Sequence, residues 1–189
     1  MRIPSPTRFA VVSLSLLLTA CATAQAPSTP ATPAPAPPSP GAIAALESRS
    51  GSSVTGRATF VQQVAGVEVT LEVAGASPGR HGAHLHATGD CSDAEAKSAG
   101  PHFADEGQPH GGPTHVAHHH GDLGNVDVGA DGTGRLVLLL AGVMLAPGPH
   151  SVVGRSVIVH ADADDLTTQP AGNSGARVAC GVVVATPAP

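Results

Sequence analysis

Val67, Val69, Leu71 and Val73 alternate with Glu68, Thr70 and Glu72, a period of two that belongs to a β-strand with one face buried. Val54, Ala58, Phe60 and Val64, set among polar residues, predict a strand just before it. Arg135 to Leu140, Ser156 to His160 and Val178 to Val184 are further short runs rich in β-forming residues. Gly75, Pro78-Gly79, Gly129-Ala130-Asp131-Gly132 and Pro147-Gly148-Pro149 punctuate the intervals with turn chemistry. No stretch sustains a helical period. Short strands separated by such turns predict an all-β sandwich or barrel.

The pattern stops between Gly89 and Asp122, where a long loop rich in Gly, His and Asp takes over. Loops beyond about 15 residues in a compact domain are functional or disordered, and the density of metal-binding side chains here favours function. Of the 11 histidines, His81, His84, His86, His102, His110, His115, His118, His119 and His120 all fall between residues 81 and 120. A solvated charge run would use Lys and Glu, whereas neutral imidazole is the commonest protein ligand for zinc and copper. On a strand, His84 and His86 point to the same face and can grip one ion.

The front of the chain is built differently. Arg2 and Arg8 flank the start of an apolar run from Phe9 to Leu18, too short to span a bilayer and shaped like the core of a signal peptide over residues 1–20. Leu18-Thr19-Ala20-Cys21 resembles the lipobox of bacterial lipoproteins, in which the Cys becomes the lipidated first residue; a plain signal peptide with a fortuitous cysteine is the alternative. Prolines at 27, 30, 33, 35, 37, 38 and 40 in an Ala/Thr/Ser background predict a disordered stalk, with the domain itself starting at residue 50 and running to 186. With Cys21 taken by lipid, Cys91 and Cys180 remain as an even pair in an oxidising compartment, the alternative being two separate buried thiols. A bridge across so long a loop contributes about 4–5 kcal/mol on the chain-entropy model. The net charge of -5 argues against nucleic acid, and leaves the lipid as the sole reason to expect membrane contact. Three Phe with no Trp or Tyr give no stacking platform for bases or sugars.

Seven segments, in order, resemble the copper/zinc superoxide dismutases in their bacterial exported form. They are Gly79-Arg-His-Gly-Ala-His-Leu-His86, Gly89-Asp-Cys91, Ser98-Ala-Gly-Pro-His-Phe103, His110-Gly-Gly-Pro113, Gly121-Asp-Leu-Gly-Asn125, Gly154 to Leu166 and Gly175-Ala-Arg-Val-Ala-Cys-Gly181. The resemblance implies an eight-stranded Greek-key β-barrel, related to the immunoglobulin-like sandwich, with long metal-binding and electrostatic loops. It implies one copper held by His84, His86, His102 and His160, and one zinc held by His102, His110, His119 and Asp122, the His102 ring being shared. Asp164 matches a carboxylate that links a copper histidine to a zinc histidine. Cys91 and Cys180 match the family disulfide, and Arg177 matches the residue that guides the anion to copper. The implied activity is dismutation of superoxide in the cell envelope, with His102 delivering a proton, by a monomer or homodimer.

Five histidines are left over. His81 matches a family position that hydrogen-bonds backbone within the barrel, His150 reads as a surface turn residue, and His115, His118 and His120 as solvated loop residues, with weak binding of adventitious metal as the alternative. Ala83 departs from the bulky aromatic usual at its position and leaves room near the copper strand, and Thr167 to Ser174 holds no Lys or Glu to steer substrate. Two other readings compete. A non-catalytic copper-binding or metal-buffering domain on the same fold would predict loss of a copper ligand or of Arg177, and both are present. A zinc hydrolase would need an HExxH helix and a general base, and the sequence offers neither.

Overall fold

The computed structural model describes residues 41–187. Its strand β3 (Gly66–Ala74) buries Val67, Val69, Leu71 and Val73 and turns Glu72 outward, as the alternation requires. The other strands are β1 (Gly41–Ser48), β2 (Thr55–Gln63), β4 (Gly79–His86), β5 (Asp122–Val128), β6 (Thr133–Leu140), β7 (Ser156–His160), β8 (Arg177–Val182) and the short β9 (Val184–Ala185). Neighbours run β1-β2-β3-β6-β5-β4-β7-β8 and back to β1, all antiparallel, while β9 pairs along β1. Eight strands thus close into a barrel, and the β3–β6 and β4–β7 neighbours make it a Greek key. Closure leaves those eight strands no free edge. Phe60, Leu71, Leu85, Leu123 and Val157 fill its interior.

Two expectations need correction. The stalk was expected to run to residue 49, but Gly41–Ser48 is a barrel strand paired to β2 and β8. Its inward residues are Ala42, Ala44 and Leu46, and alanine gives too little contrast with Ile43 and Ala45 for alternation to show. Val64, read with the inward set, lies in the β2–β3 turn and is fully exposed. The signal peptide over residues 1–20, Cys21 and the stalk through residue 40 lie outside the described residues.

Two bulges prepare the site. Along β4–β5 the pairing jumps from Ala83↔Gly124 to His84↔Asp122, leaving Leu123 unpaired between them. Along β7–β8 it jumps from Val159↔Ala179 to His160↔Arg177, passing over Val178. Each extra residue re-aims the side chains next to it on its strand, so Asp122 arrives opposite His84 and Arg177 opposite His160. Residues 87–121 form a long loop whose helical content, among the described residues, is one 3-10 turn (Lys97–Ala99). Three backbone bonds tie this loop down in a closed triangle: Leu85 N–H to Gly121 O, Gly121 N–H to Phe103 O and Phe103 N–H to Leu85 O, each 2.8 Å. A Cβ at Gly121 would collide with the Leu85 carbonyl, so only glycine lets the triangle close. The Cys91–Cys180 disulfide staples the same loop to β8 across a Cα–Cα distance of 5.8 Å.

Candidate metal centre

β4 presents His84 and His86 side by side, and β7 ends on His160 beside them. An isolated bridge between His86 and His102 brings the loop histidine into the same cluster. In each of three of these rings, one nitrogen is used by the protein. His84 Nε2 donates to Asp164 Oδ2 at 2.8 Å, His86 Nδ1 to the Gly100 carbonyl at 2.8 Å and His160 Nδ1 to the Gly175 carbonyl at 3.2 Å. Those bonds fix the tautomers and leave the opposite nitrogens bare.

Among the described residues, four buried side-chain nitrogens or oxygens have no hydrogen-bond partner: His84 Nδ1, His86 Nε2, His102 Nε2 and His160 Nε2. Ligand atoms of these same four residues lie within 4.8 Å of one another. An orphaned buried polar atom costs about 1–3 kcal/mol, and four converging on one point demand a common partner. A cation that prefers imidazole fits. Burial pushes the His84 and His86 rings well below the ordinary histidine range and His160 down to about 4, with mutual repulsion adding to it. At neutral pH these rings are therefore uncharged, the form that binds a metal.

The second nitrogen of His102 looks the other way. Its Nδ1 is 2.9 Å from Asp122 Oδ1 and 3.3 Å from His119 Nδ1, while His110 Nδ1 is 3.0 Å from the same oxygen. Four spacings among the ligand atoms of His102, His110, His119 and Asp122 run from 2.9 to 3.3 Å, close to the about 3.3 Å edge of a tetrahedron with the bonds of about 2.0 Å that zinc favours. His110 Nε2 donates to Asp164 Oδ1 at 2.9 Å and His119 Nε2 to the Gln108 carbonyl at 3.1 Å, so these two rings also turn bare Nδ1 atoms inward. Burial pushes the Asp122 carboxyl up, but the His102 ring and the Gly111 and His119 amides more than offset this and hold it well below the usual carboxylate range. Burial lowers His119 as well.

Asp164 therefore joins the two clusters, one oxygen on His84 and the other on His110, with all three side chains fully buried. Gly172 packs against this bridge at φ +64, and a Cβ there would overlap the Asp164 carboxylate. On the solvent side a cleft of about 360 Å³ opens over His86, His102 and His160, walled by Pro170, Ala171 and Arg177. The Arg177 guanidinium donates to the Ala96 and Gly100 carbonyls, both at 2.8 Å.

A family model described as copper/zinc superoxide dismutase (SODC) matches residues 54–183. The chain belongs to the copper/zinc superoxide dismutase family. It is also 43% identical over 144 residues to a superoxide dismutase [Cu-Zn] of Onchocerca volvulus, an alignment covering 70% of this chain and 90% of that protein. Copper and zinc are thus the metals its histidine clusters take.

Within this superoxide dismutase scaffold, several positioning residues escaped the sequence reading. Gln169 clamps His110, accepting its N–H at 2.7 Å and donating to its carbonyl at 2.9 Å. Asn125 grips the Asp164 backbone in the same reciprocal way, at 2.7 and 2.9 Å. These pairs lie 59 and 39 residues apart, and no local pattern announces them. The Gly100 carbonyl, which accepts from both His86 and Arg177, carries no side-chain signal at all.

Of the leftover histidines, His81 donates from Nδ1 to the His160 carbonyl at 2.9 Å and so pins the end of β7. His115 Nδ1 accepts the Gly112 N–H, and His118 Nδ1 donates to the His119 carbonyl. His150 lies in a turn with its side chain 35% exposed, as the sequence suggests, and it meets Asp105 there together with His120. Ala83 is fully buried with the core residues.

Proposed function

We propose that this chain dismutates superoxide in the cell envelope, held to a membrane through a lipid on Cys21. The observation that carries the catalytic part is the set of four partnerless ring nitrogens gathered under a cleft with Arg177 in its wall. Copper, bound by His84, His86, His102 and His160, supplies one-electron oxidation and reduction, and zinc, bound by His102, His110, His119 and Asp122, supplies a fixed positive charge. Two superoxide anions and two protons become O2 and hydrogen peroxide.

The protein's own groups divide the remaining work. Arg177 attracts the anion and orients it, its fork held still by the Ala96 and Gly100 carbonyls. Asp164 keeps His84 and His110 in fixed tautomers. His102 offers Nε2 to the cleft side while Nδ1 stays among the Asp122 cluster, so a proton at Nε2 is placed to pass to the peroxide as it forms. Thr167 to Ser174 contributes no cation, which concentrates substrate attraction on Arg177.

The purified chain, reconstituted with both metals, should consume superoxide rapidly in stopped flow with copper and zinc confirmed by elemental analysis. Full metal content without consumption above a protein background would replace the enzyme with a metal-buffering domain. The envelope reading rests on the apolar run Phe9 to Leu18, Cys21 and the proline-rich segment after it. Cys21→Ser should release the protein from the membrane fraction, and unchanged partition would sink the anchor.

A further inference from the structure

We propose that Asp105, His120 and His150 form a third metal site, on the rim of the copper cleft, that takes a divalent transition ion such as zinc or Cu(II). His120 Nε2 lies 3.0 Å from Asp105 Oδ2 and His150 Nε2 3.2 Å from Asp105 Oδ1. Ligand atoms of all three fall within 4.8 Å of one another. Two imidazoles and one carboxylate are a donor set that zinc and Cu(II) favour, and three protein ligands leave a position for water. The His120 side chain is only 14% exposed and His150 35%, so both are partly withdrawn from solvent yet open to an arriving ion.

The site is preorganised from three separate segments. Arg155 straps the turn carrying His150 from both sides, donating to the Pro149 carbonyl at 2.9 Å and the Ser151 carbonyl at 3.2 Å. The same guanidinium lies 3.9 Å above the Phe103 ring, and Phe103 packs against His120 with ring centroids 5.4 Å apart. Asp105 is set by its own turn, its N–H donating to Gln108 Oε1 at 3.0 Å. Binding an ion therefore replaces hydrogen bonds within an existing arrangement instead of ordering three loose side chains, which lowers its entropic cost. Asp105 also lines the copper cleft beside Glu106, so a divalent ion here would cancel the negative charge of these two carboxylates where the substrate anion enters. This site stands independently of the dismutase reading.

The full chain is first loaded with one copper and one zinc and freed of excess metal by gel filtration, then titrated with Co2+ and, separately, Cu2+. The wild type should take up a third equivalent, with a cobalt absorption or a second Cu(II) resonance showing nitrogen ligands. His150→Ala and His150→Gln should weaken that equivalent at least tenfold, since disturbing a metal's surroundings costs about 10–100-fold in affinity. His115→Ala, whose ring accepts the Gly112 N–H and is not part of the cluster, should leave it unchanged. Saturation of the wild type at two equivalents, or equal affinity in the wild type and both His150 variants, would overturn the proposal, as would equal loss in His115→Ala.

Discussion

The β2–β3–β6 wall and the loop-built metal centre are stabilised by opposite means. The wall is written in side-chain alternation: Ala58, Phe60, Val67, Val69 and Leu71 go inward, and register follows because a one-residue slip would turn them all out. The loops around the metal centre bury only a small apolar cluster of their own, Ala96 and Ala99 against Ile158 and Cys180. The centre is organised by single hydrogen bonds between residues far apart in sequence, with Asp164, Asn125, Gln169 and the Gly100 carbonyl as nodes. A change in the wall should therefore alter stability without touching metal affinity, and a change at a node should do the reverse.

The largest effect belongs to the wall. Leu71 is fully buried, and Leu71→Ala should destabilise the metal-free and metal-loaded protein alike by about 2–5 kcal/mol, read by denaturant unfolding. Copper and zinc affinities should not move. If metal affinity falls in step with stability, the two regions form one unit and the contrast fails. Asp164→Asn attacks the node instead. An amide cannot accept from both His84 and His110 as the carboxylate does, so both metals should bind about 10–100-fold more weakly in equilibrium dialysis. Loss confined to one metal would mean that Asp164 positions only one of the two rings.

The same contrast decides what could be read in advance. Strands with large side chains were legible, as β3 and β7 illustrate, whereas β1 hid behind its alanines and β5 behind a bulge that breaks alternation at Leu123. The closed eight-stranded barrel came from resemblance, since the periodicity alone stopped at a sandwich or barrel. The histidine clusters were visible as composition and spacing, but their convergence depends on the Leu85–Gly121–Phe103 triangle and two bulges, backbone events whose residue trace is as slight as the glycine at 121. The meeting of His120 and His150 at Asp105 was hidden for the same reason. They lie on separate loops, and only the turn held by Arg155 brings His150 to Asp105.

A smaller effect is expected where the loops touch substrate rather than metal. A unit charge at about 5 Å in an effective dielectric of about 20 attracts an anion by roughly 3 kcal/mol, part of which solvent and salt remove. Arg177→Ala should cut superoxide consumption about tenfold with both metals retained, Arg177→Lys should keep much of the rate, and the deficit should narrow as ionic strength rises. A deficit that ignores salt would assign Arg177 to positioning His86 through their shared Gly100 carbonyl, not to steering.

The smallest effect tests whether the wall's outer face is plain solvent surface. Leu139 sits on β6 opposite Glu68 and is 48% exposed, with Val137 two residues earlier at 43%. Both point away from the core that Leu71 fills from the neighbouring strand. Because Leu139 gains little from burial, Leu139→Thr, which keeps a β-favouring side chain, should change stability by no more than about 0.5 kcal/mol. The measurement is denaturant unfolding at two protein concentrations. A cost above about 2 kcal/mol that grows with protein concentration would mean that a second copy covers Val137 and Leu139. The wall would then belong with interfaces as well as with the core, and its inward and outward faces would no longer differ in kind.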